Sequence, residues 1–310
     1  MPFVRAHVVF MGSPEFALPS LRALTDIAEV VGVVTQPDRP AGRGRSVRPP
    51  PVKQLAAQLE LPVMQPERIR DPGVVGRIIG WNPEVIVVSA YGQILSLDLL
   101  DAPQYGCLNV HASLLPRWRG AAPIQAAILA GDTETGVTIM KMDEGLDSGP
   151  IVSQRAIAIG PDETGGSLTE ALAELGARLL VETLPGYLEG KITPQPQPQE
   201  GVTLARAIQR EDGMLDLHSD ARTLARQVRA FYPRPGTRVS VDGRQLKVVS
   251  AHPVEGSVAV GERLVHEGNP ALGTADGLLV LDEVQPPGKR QMTGRAYLAG
   301  ARAWIAPHAT

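Results

Sequence analysis

The sequence lacks the residues on which several classes of protein depend. It has one cysteine, Cys107, which cannot form a disulfide within the chain, and no Cys/His pairs at the spacing of zinc ligands. Disulfide scaffolds and zinc sites are therefore excluded, and we expect no metal and a reducing, cytoplasmic location. No uncharged apolar run reaches about 18 residues, so we expect neither a signal peptide nor a membrane span.

The sequence also lacks a strong basic charge. The formal net charge is −3 and the isoelectric point is about 6.1, so a nucleic acid could bind only at a local basic patch. Residues 1–189 contain 15 Lys/Arg and 21 Asp/Glu, whereas residues 190–310 contain 15 and 12. The second part is the better candidate for contacting phosphates, although so small an excess is also typical of an ordinary solvated surface.

Short apolar runs rich in β-branched residues recur in the first half of the chain. They are HVVFM at 7–11, VVGVVT at 30–35, VIVVSA at 85–90, GCLNV at 106–110 and GVTIM at 136–140. Because they are apolar on both faces and helical segments separate them, they predict buried parallel strands in an α/β sheet. Leucine and alanine at helical spacing between 163 and 184 predict the helix that ends this domain.

The turn after the first run predicts a helix start but no nucleotide site. Ser13 is a candidate N-cap, and Pro14 stands at the first helical position. The turn lacks the G-x-G-x-x-G spacing, and no P-loop pattern occurs, so neither a dinucleotide nor a P-loop ligand is predicted. We therefore expect the chemistry at the carboxyl ends of later strands.

Repeated prolines interrupt the chain after the first domain. Between 187 and 205 they favour an extended conformation, which predicts a linker. Beyond it, helical spacing at 219–231 and 294–305 brackets short alternating runs that predict a small antiparallel barrel. The predicted organisation is a catalytic domain at 1–189, a linker at 190–207 and a C-terminal domain at 208–310.

Two polar side chains stand where one predicted strand ends. Asn109 and His111 are two residues apart, so the alternation of a strand places them on one side, where they can converge on one reacting atom. Asp147, in the loop after the run at 136–140, could reach His111. From the residues alone, Asp143 and Glu144 remain equal alternatives to Asp147, and a histidine after a strand is more often structural.

Five stretches, in order, resemble the methionyl-tRNA formyltransferase family. They are FMGSPEFALPSL, VVTQPDRPAGRGR, AYGQIL, NVHASLLPRWRGAAPIQ and TGVTIMKMDEGLDSGPI, which span roughly residues 8–152. The linker and the C-terminal domain extend the likeness over nearly the whole chain. The Asn-x-His, Ser-Leu-Leu-Pro and late Asp combination is shared by the wider formyltransferase superfamily, so it indicates chemistry but not substrate. The segment 36–45 is similar to the loop that in this family enters the tRNA acceptor arm. This similarity narrows the choice of substrate.

The resemblance implies a fold and a reaction. The fold is a Rossmann-like, mostly parallel sheet, the formyltransferase fold, followed by an OB-like β-barrel domain that binds tRNA. The reaction moves a formyl group from 10-formyltetrahydrofolate to the α-amino group of methionyl initiator tRNA for translation initiation, and it releases tetrahydrofolate. A monomer without metal or membrane contact is expected.

The resemblance also implies roles for individual residues. Asn109 would donate to the oxyanion, His111 would donate or transfer a proton, and Asp147 would orient His111 or order a water. The expected folate site consists of Tyr91, Gly92, Gln93, Ile94, Leu95, Ser113, Leu114, Leu115 and Pro116, with contacts from the backbone of residues 91–95 and 143–147. The expected tRNA contacts are Arg39, Arg43 and Arg45, of which Arg43 fits the family motif best.

Departures and rival functions accompany this hypothesis. Leu217 stands where the family usually has an aromatic residue, and residues 231–236 keep only part of the family's Phe-x-Pro-x-Pro pattern.

One rival function is that of a formyltransferase of the same chemistry that acts on a small amine, such as glycinamide ribonucleotide or an amino sugar nucleotide. A second is a nonenzymatic RNA-binding protein, which would not need Asn109, His111 and Asp147 together.

Overall fold

A computed structural model describes residues 4–41, 46–301 and 304, which form two compact units. The first unit comprises the described residues up to 123 together with 134–158 and 169–205, and the second comprises 124–133, 159–168 and the described residues from 206 onward. Residues 190–205 of the expected linker belong to the first unit. The division into a catalytic domain at 1–189, a linker at 190–207 and a C-terminal domain at 208–310 stays a prediction.

The elements up to residue 205 alternate between strand and helix. The strands are β1 Val4–Gly12, β2 Ala28–Val34, β3 Arg39–Ala41, β4 Ser46–Arg48, β5 Val63–Met64, β6 Val85–Ser89, β7 Cys107–His111, β8 Arg119–Gly120, β9 Glu134–Lys141, β10 Ile151–Ala158 and β11 Leu204–Ala205. The helices are α1 Leu18–Thr25, α2 Pro51–Gln58, α3 Pro72–Ile79, α4 Leu97–Asp101, α5 Pro123–Ala130 and α6 Gly165–Leu188. The helix expected at 163–184 is therefore confirmed as α6.

A mostly parallel sheet of seven strands, in the order β10-β9-β7-β6-β1-β2-β5, confirms the predicted fold class. Strands β7, β6, β1, β2 and β5 are parallel. The expectation that the run at 136–140 is also parallel is wrong, because β9 pairs antiparallel with β7 and forms a hairpin with β10. A run buried on both faces carries no signal of strand direction, which depends on the connection that precedes it.

Ser13 does not cap a helix, contrary to the expectation from the sequence. A 3-10 turn at Glu15–Ala17 precedes α1, and its N-cap residue is Pro14, without a side-chain cap. The Ser13 hydroxyl instead accepts hydrogen bonds from Gln36 N at 3.1 Å and Thr35 Oγ1 at 3.3 Å. The first βα turn thus anchors the start of the 36–45 segment. A serine hydroxyl can accept from a backbone N–H of its own turn or from a more distant one, and here it accepts from the distant one.

Cys107 lies in the core of the first unit, where its Sγ donates to Leu99 O at 3.3 Å. Burial raises the pKa of the thiol to about 12. Because the thiolate is the reactive form, native protein at pH 7.5 should resist a thiol reagent for an hour and react fully in guanidinium. Absorbance with 5,5′-dithiobis(2-nitrobenzoate) measures this, and rapid labelling of the native protein would contradict it.

The second unit contains an antiparallel sheet. Its strands are β12 Thr237–Val241, β13 Arg244–Val254, β14 Arg263–His266, β15 Asn269–Gly273, β16 Leu278–Gln285 and β17 Met292–Thr293, and its later helices are α7 Ala221–Ala230 and α8 Gly294–Gly300. The strand order is β12-β13-β16-β15-β14, with β17 on β16. Arg263 in β14 donates to Asp242 after β12 at 2.6 Å, so the two edge strands approach each other as in a barrel. Helix α7 packs its apolar face on this sheet around Leu224 and Val228.

Within the described ranges, no helix is long and apolar enough to cross a membrane.

Candidate active site

Asn109, His111 and Asp147 meet in the first unit. Strand β7 places the amide and the imidazole on one side, and the loop between β9 and β10 brings the carboxylate to them. Asn109 Nδ2 donates to Asp147 Oδ1 at 3.3 Å, and His111 Nδ1 lies 3.7 Å from Asp147 Oδ2. Of the three acidic candidates, Asp147 is therefore the one whose carboxylate contacts both side chains. Asp143 instead accepts from Ser148 Oγ at 3.0 Å.

The backbone around His111 determines which ring nitrogen carries hydrogen. His111 Nε2 lies 3.0 Å from Trp118 O, and a carbonyl oxygen can only accept, so Nε2 is the donor. In the neutral ring, Nδ1 therefore has a free lone pair on the side of Asp147. The imidazole is only 6% exposed, so the nearby carboxylate is screened little by water. Nδ1 is therefore the ring nitrogen that can accept a proton in a reaction.

The carboxylate of Asp147 is held by a backbone amide. Gly120 N donates to Asp147 Oδ2 at 2.8 Å. Gly120 has φ +117°, and a Cβ there would lie 2.6 Å from Ala205 O, so β8 needs glycine at this position to approach β11. Asp147 and Trp118 also have positive φ, at +48° and +62°, an unfavourable conformation for residues with a Cβ. Strained backbone thus surrounds the three polar side chains.

Two residues that sequence reasoning missed complete this network. Gln197 Nε2 donates to Asp147 O and Gly149 O, both at 2.8 Å, and Arg119 donates to Gln197 Oε1 from Nε at 3.0 Å and Nη2 at 2.7 Å. Gln197 lies in the proline-rich segment, where composition indicated only a linker. Its spacing from Asp147 carries no periodic signal, so tertiary contact alone reveals it.

Residues 113–116 contribute more to the scaffold than to an open surface. Ser113 Oγ donates to Arg117 O at 2.6 Å, and Leu115 N donates to Thr138 Oγ1 at 3.1 Å. The bond between Leu115 and Pro116 is cis. Ser113 and Leu115 are buried, whereas Leu114 and Pro116 are half-buried. Leu114 and Pro116 are therefore the better candidates in this stretch for contacting a ligand.

The loop at 91–95 exposes one large apolar side chain. Ile94 is 72% exposed, whereas the side chains of Tyr91 and Leu95 are buried in the core. Gln93 Oε1 accepts from Ile69 N at 2.8 Å, and Gly92 has φ +86°. Burial raises the pKa of the Tyr91 hydroxyl. The Ile94 side chain and the backbone of this loop are therefore the better candidates for contacting a ligand.

The 36–45 segment begins on well-defined contacts. Gln36 Nε2 donates to Tyr91 O at 3.0 Å, and Asp38 forms an ion pair with Lys53 at 2.7 Å. Arg39 is exposed in β3, which pairs with β4. Arg43 and Arg45, both expected to contact tRNA, lie outside the described residues. In the part of the chain that the structure describes, no cluster of three or more His, Cys, Asp or Glu could hold a metal ion.

Comparisons with known proteins identify the family of the chain. Family models described as formyl transferase and as its C-terminal domain match residues 7–184 and 207–302. The methionyl-tRNA formyltransferases of Myxococcus xanthus and Halorhodospira halophila are 50% and 48% identical to this chain. Each alignment covers 96% of this chain, and the alignments cover 95% and 97% of the length of the two relatives, respectively.

A solved structure shows the same fold at low identity. HypX from Aquifex aeolicus, in complex with tetrahydrofolic acid, has a TM-score of 0.62 and 18% identity over 95% of this chain. The matched part is 47% of HypX, so this chain spans about half of that protein. The fold, the two matched family models and the identity to curated relatives agree, and the chain belongs to the methionyl-tRNA formyltransferase family.

Proposed function

We propose that this chain transfers a formyl group from 10-formyltetrahydrofolate to the α-amino group of methionyl initiator tRNA. Membership of the family supports the reaction. The observation that carries the proposal is the contact of one carboxylate, Asp147, with both Asn109 and His111. An acyl-transfer site needs a donor for the oxyanion and a group that moves a proton, and these two side chains provide both.

The reaction proceeds through a tetrahedral intermediate. The amine lone pair forms a bond to the formyl carbon, and the carbonyl π electrons move to oxygen. Asn109 has two amide hydrogens, of which one goes to Asp147 and the second can donate to that oxygen. The proton lost by the amine passes to Nδ1 of His111, where Asp147 stabilises it. The carbonyl then reforms as the bond to the folate nitrogen breaks, and His111 returns the proton from the amine to that nitrogen, which regenerates the neutral imidazole.

We expect the folate co-substrate to cover exposed apolar side chains of two loops. Ile94 and Leu146 are 72% and 62% exposed, although large aliphatic side chains favour burial. Leu146 directly precedes Asp147, so a ligand that covers Leu146 lies beside the polar side chains. A flat heteroaromatic ring suits such apolar walls combined with backbone hydrogen-bonding groups.

The tRNA is proposed to contact the arginine-rich segment through Arg39, Arg43 and Arg45. Arginines separated by glycine and proline can bind phosphates at several angles. We expect the chain to act as a monomer, because one chain supplies Asn109, His111 and Asp147. We expect it to act in the cytoplasm, because charged initiator tRNA is used there. Light scattering of the purified protein tests the monomer.

Formyl transfer to different acceptors tests the function directly. Purified protein and 10-formyltetrahydrofolate are incubated with charged initiator tRNA, with free methionine or with small amines that include an amino sugar nucleotide. We expect formylation of the charged tRNA with kcat/KM far above that of any small amine. Activity on the small amines alone would overturn the substrate, and tRNA binding without any transfer would favour the nonenzymatic alternative.

Arg43→Ala should lower kcat/KM for charged initiator tRNA about tenfold, the scale for losing one arginine contact to nucleic acid. Slow hydrolysis of the formyl donor without tRNA should not change, since the arginine contacts only the RNA. The matched control is Arg77→Ala, because exposed Arg77 donates to Gly73 O within its own helix. Equal losses in the tRNA-dependent and tRNA-independent reactions would contradict the assigned contact.

A further inference from the structure

Gln197 is a buried polar residue whose neighbours in the proline-rich segment, Pro196 and Pro198, are exposed. It is 7% exposed, whereas the side chain of Gln195, two residues earlier, is exposed and donates to Thr193 O of its own segment. The backbone of Gln195 pairs with Ile151, and this pairing does not depend on the glutamine side chain. Glutamine is rarely buried unless its amide is hydrogen-bonded. The burial of one glutamine and the exposure of the other show that the contacts of Gln197, and not the composition of the segment, place it.

The amide of Gln197 uses all of its hydrogen-bonding capacity. Its two hydrogens go to Asp147 O and Gly149 O, and its oxygen accepts twice from Arg119. Carbonyl oxygens only accept and a guanidinium only donates, so the amide has one possible orientation. A fully satisfied buried amide holds its partners in fixed positions.

The contacts of Gln197 support the Asp147 carboxylate in two ways. Gln197 binds the carbonyl of Asp147 itself, whose φ of +48° is unfavourable without support. It also binds Arg119, which directly precedes Gly120, and Gly120 N donates to Asp147 Oδ2. One side chain therefore holds the backbone that carries the carboxylate and the strand that binds it.

We propose that Gln197 is a positioning residue for formyl transfer and that it acts through Asp147. Without its amide, the turn from Asp147 to Gly149 can relax, and the carboxylate leaves its place beside Asn109 and His111. Displacements of about 1 Å at a reacting centre can cost as much as a hundredfold in rate. The inference rests on the proposed role of Asp147.

Gln197→Ala should lower kcat about tenfold while KM for the folate and the tRNA changes less than about twofold. Gln197→Glu should lose as much, because a carboxylate keeps the shape and the Arg119 contact but cannot donate to the two carbonyls. Rates are expressed per folate-binding site, titrated with 5-formyltetrahydrofolate, so that misfolded protein does not count. Gln195→Ala is the matched control and should keep the wild-type kcat.

A purely structural role would give a different result. If Gln197 only ties its segment to the first unit, both substitutions should lower Tm while kcat per binding site stays at the wild-type value. That outcome would overturn the inference. An equal loss of kcat in Gln195→Ala would overturn it too, since the effect would then belong to the segment and not to the Gln197 amide.

A double-mutant cycle with Asp147→Asn separates this inference from the proposed function. If Gln197 acts through Asp147, Gln197→Ala should lower kcat by less than about twofold further in the Asp147→Asn background. If the double variant instead loses kcat by the product of the two single-variant losses, the two residues act independently and the inference is overturned. Wild-type kcat in Asp147→Asn would instead refute the proposed role of Asp147, whereas a slow Asp147→Asn beside an unaffected Gln197→Ala would refute the inference alone.

Discussion

Asn109→Ala should lower kcat for formyl transfer about a hundredfold. The loss of one oxyanion donor costs about 3 kcal/mol of transition-state stabilisation, and each factor of ten in rate is about 1.4 kcal/mol. In this structure Asp147 Oδ1 accepts one hydrogen of the Asn109 amide, and this contact fixes the direction in which the second hydrogen points. Single-turnover formylation of charged initiator tRNA measures the chemical step.

The substrate affinities of Asn109→Ala serve as the control. The proposed hydrogen bond strengthens only as charge develops on the formyl oxygen, so the Kd of 5-formyltetrahydrofolate should change less than about twofold. Calorimetric titration measures this Kd. A variant with near-normal turnover would refute the oxyanion role, and a large loss of folate affinity would show that Asn109 acts in ground-state binding instead.

Gly149→Ala should destabilise the first unit by about 3 kcal/mol and abolish most activity. A Cβ at position 149 would overlap the carbonyl oxygen of Lys141, and it would also come within 3.2 Å of Asp143 N. Both neighbours are backbone atoms, so no side chain can move to relieve the overlap. The turn itself must shift, and Asp147 lies two residues earlier in the same turn.

Scanning calorimetry should show Tm lowered by about 10 °C for Gly149→Ala. The control is Gly76→Ala, the same change at an exposed position of α3 where an added Cβ meets nothing within 4 Å. Alanine is favoured over glycine inside a helix by about 1 kcal/mol, so Gly76→Ala should raise Tm slightly. Wild-type Tm and kcat in Gly149→Ala would show that the turn yields freely and does not position Asp147.

The fold class could be predicted because burial leaves a direct mark on the sequence. The run at 85–90 is apolar except for Ser89, and the corresponding strand Val85–Ser89 is fully buried between its neighbours. The direction of β9 could not be predicted in this way, since the same burial pattern suits a parallel or an antiparallel neighbour. Strand direction depends on where the chain returns, which is a property of the whole sheet.

The role of Ser13 shows the same limit for a polar residue. Serine before proline and an acidic residue is typical of a helix start, yet the hydroxyl binds Gln36 N, 23 positions away. Local propensity is a weak preference that one tertiary hydrogen bond can override. The consequence is functional, because that bond fixes the beginning of the segment proposed to contact tRNA.

The sequence by itself determined the α/β class, the candidate pair Asn109 and His111, and the family, because burial patterns and short motifs are local properties of the chain. Only the tertiary structure showed that Asp147, which the family resemblance already favoured, contacts both of these side chains, and only it revealed Gln197. Asp147 reaches Asn109 across 38 positions and Gln197 across 50. Hydrogen bonds over such separations form only after the sheet and its loops have brought the partners together, so no local pattern can encode them.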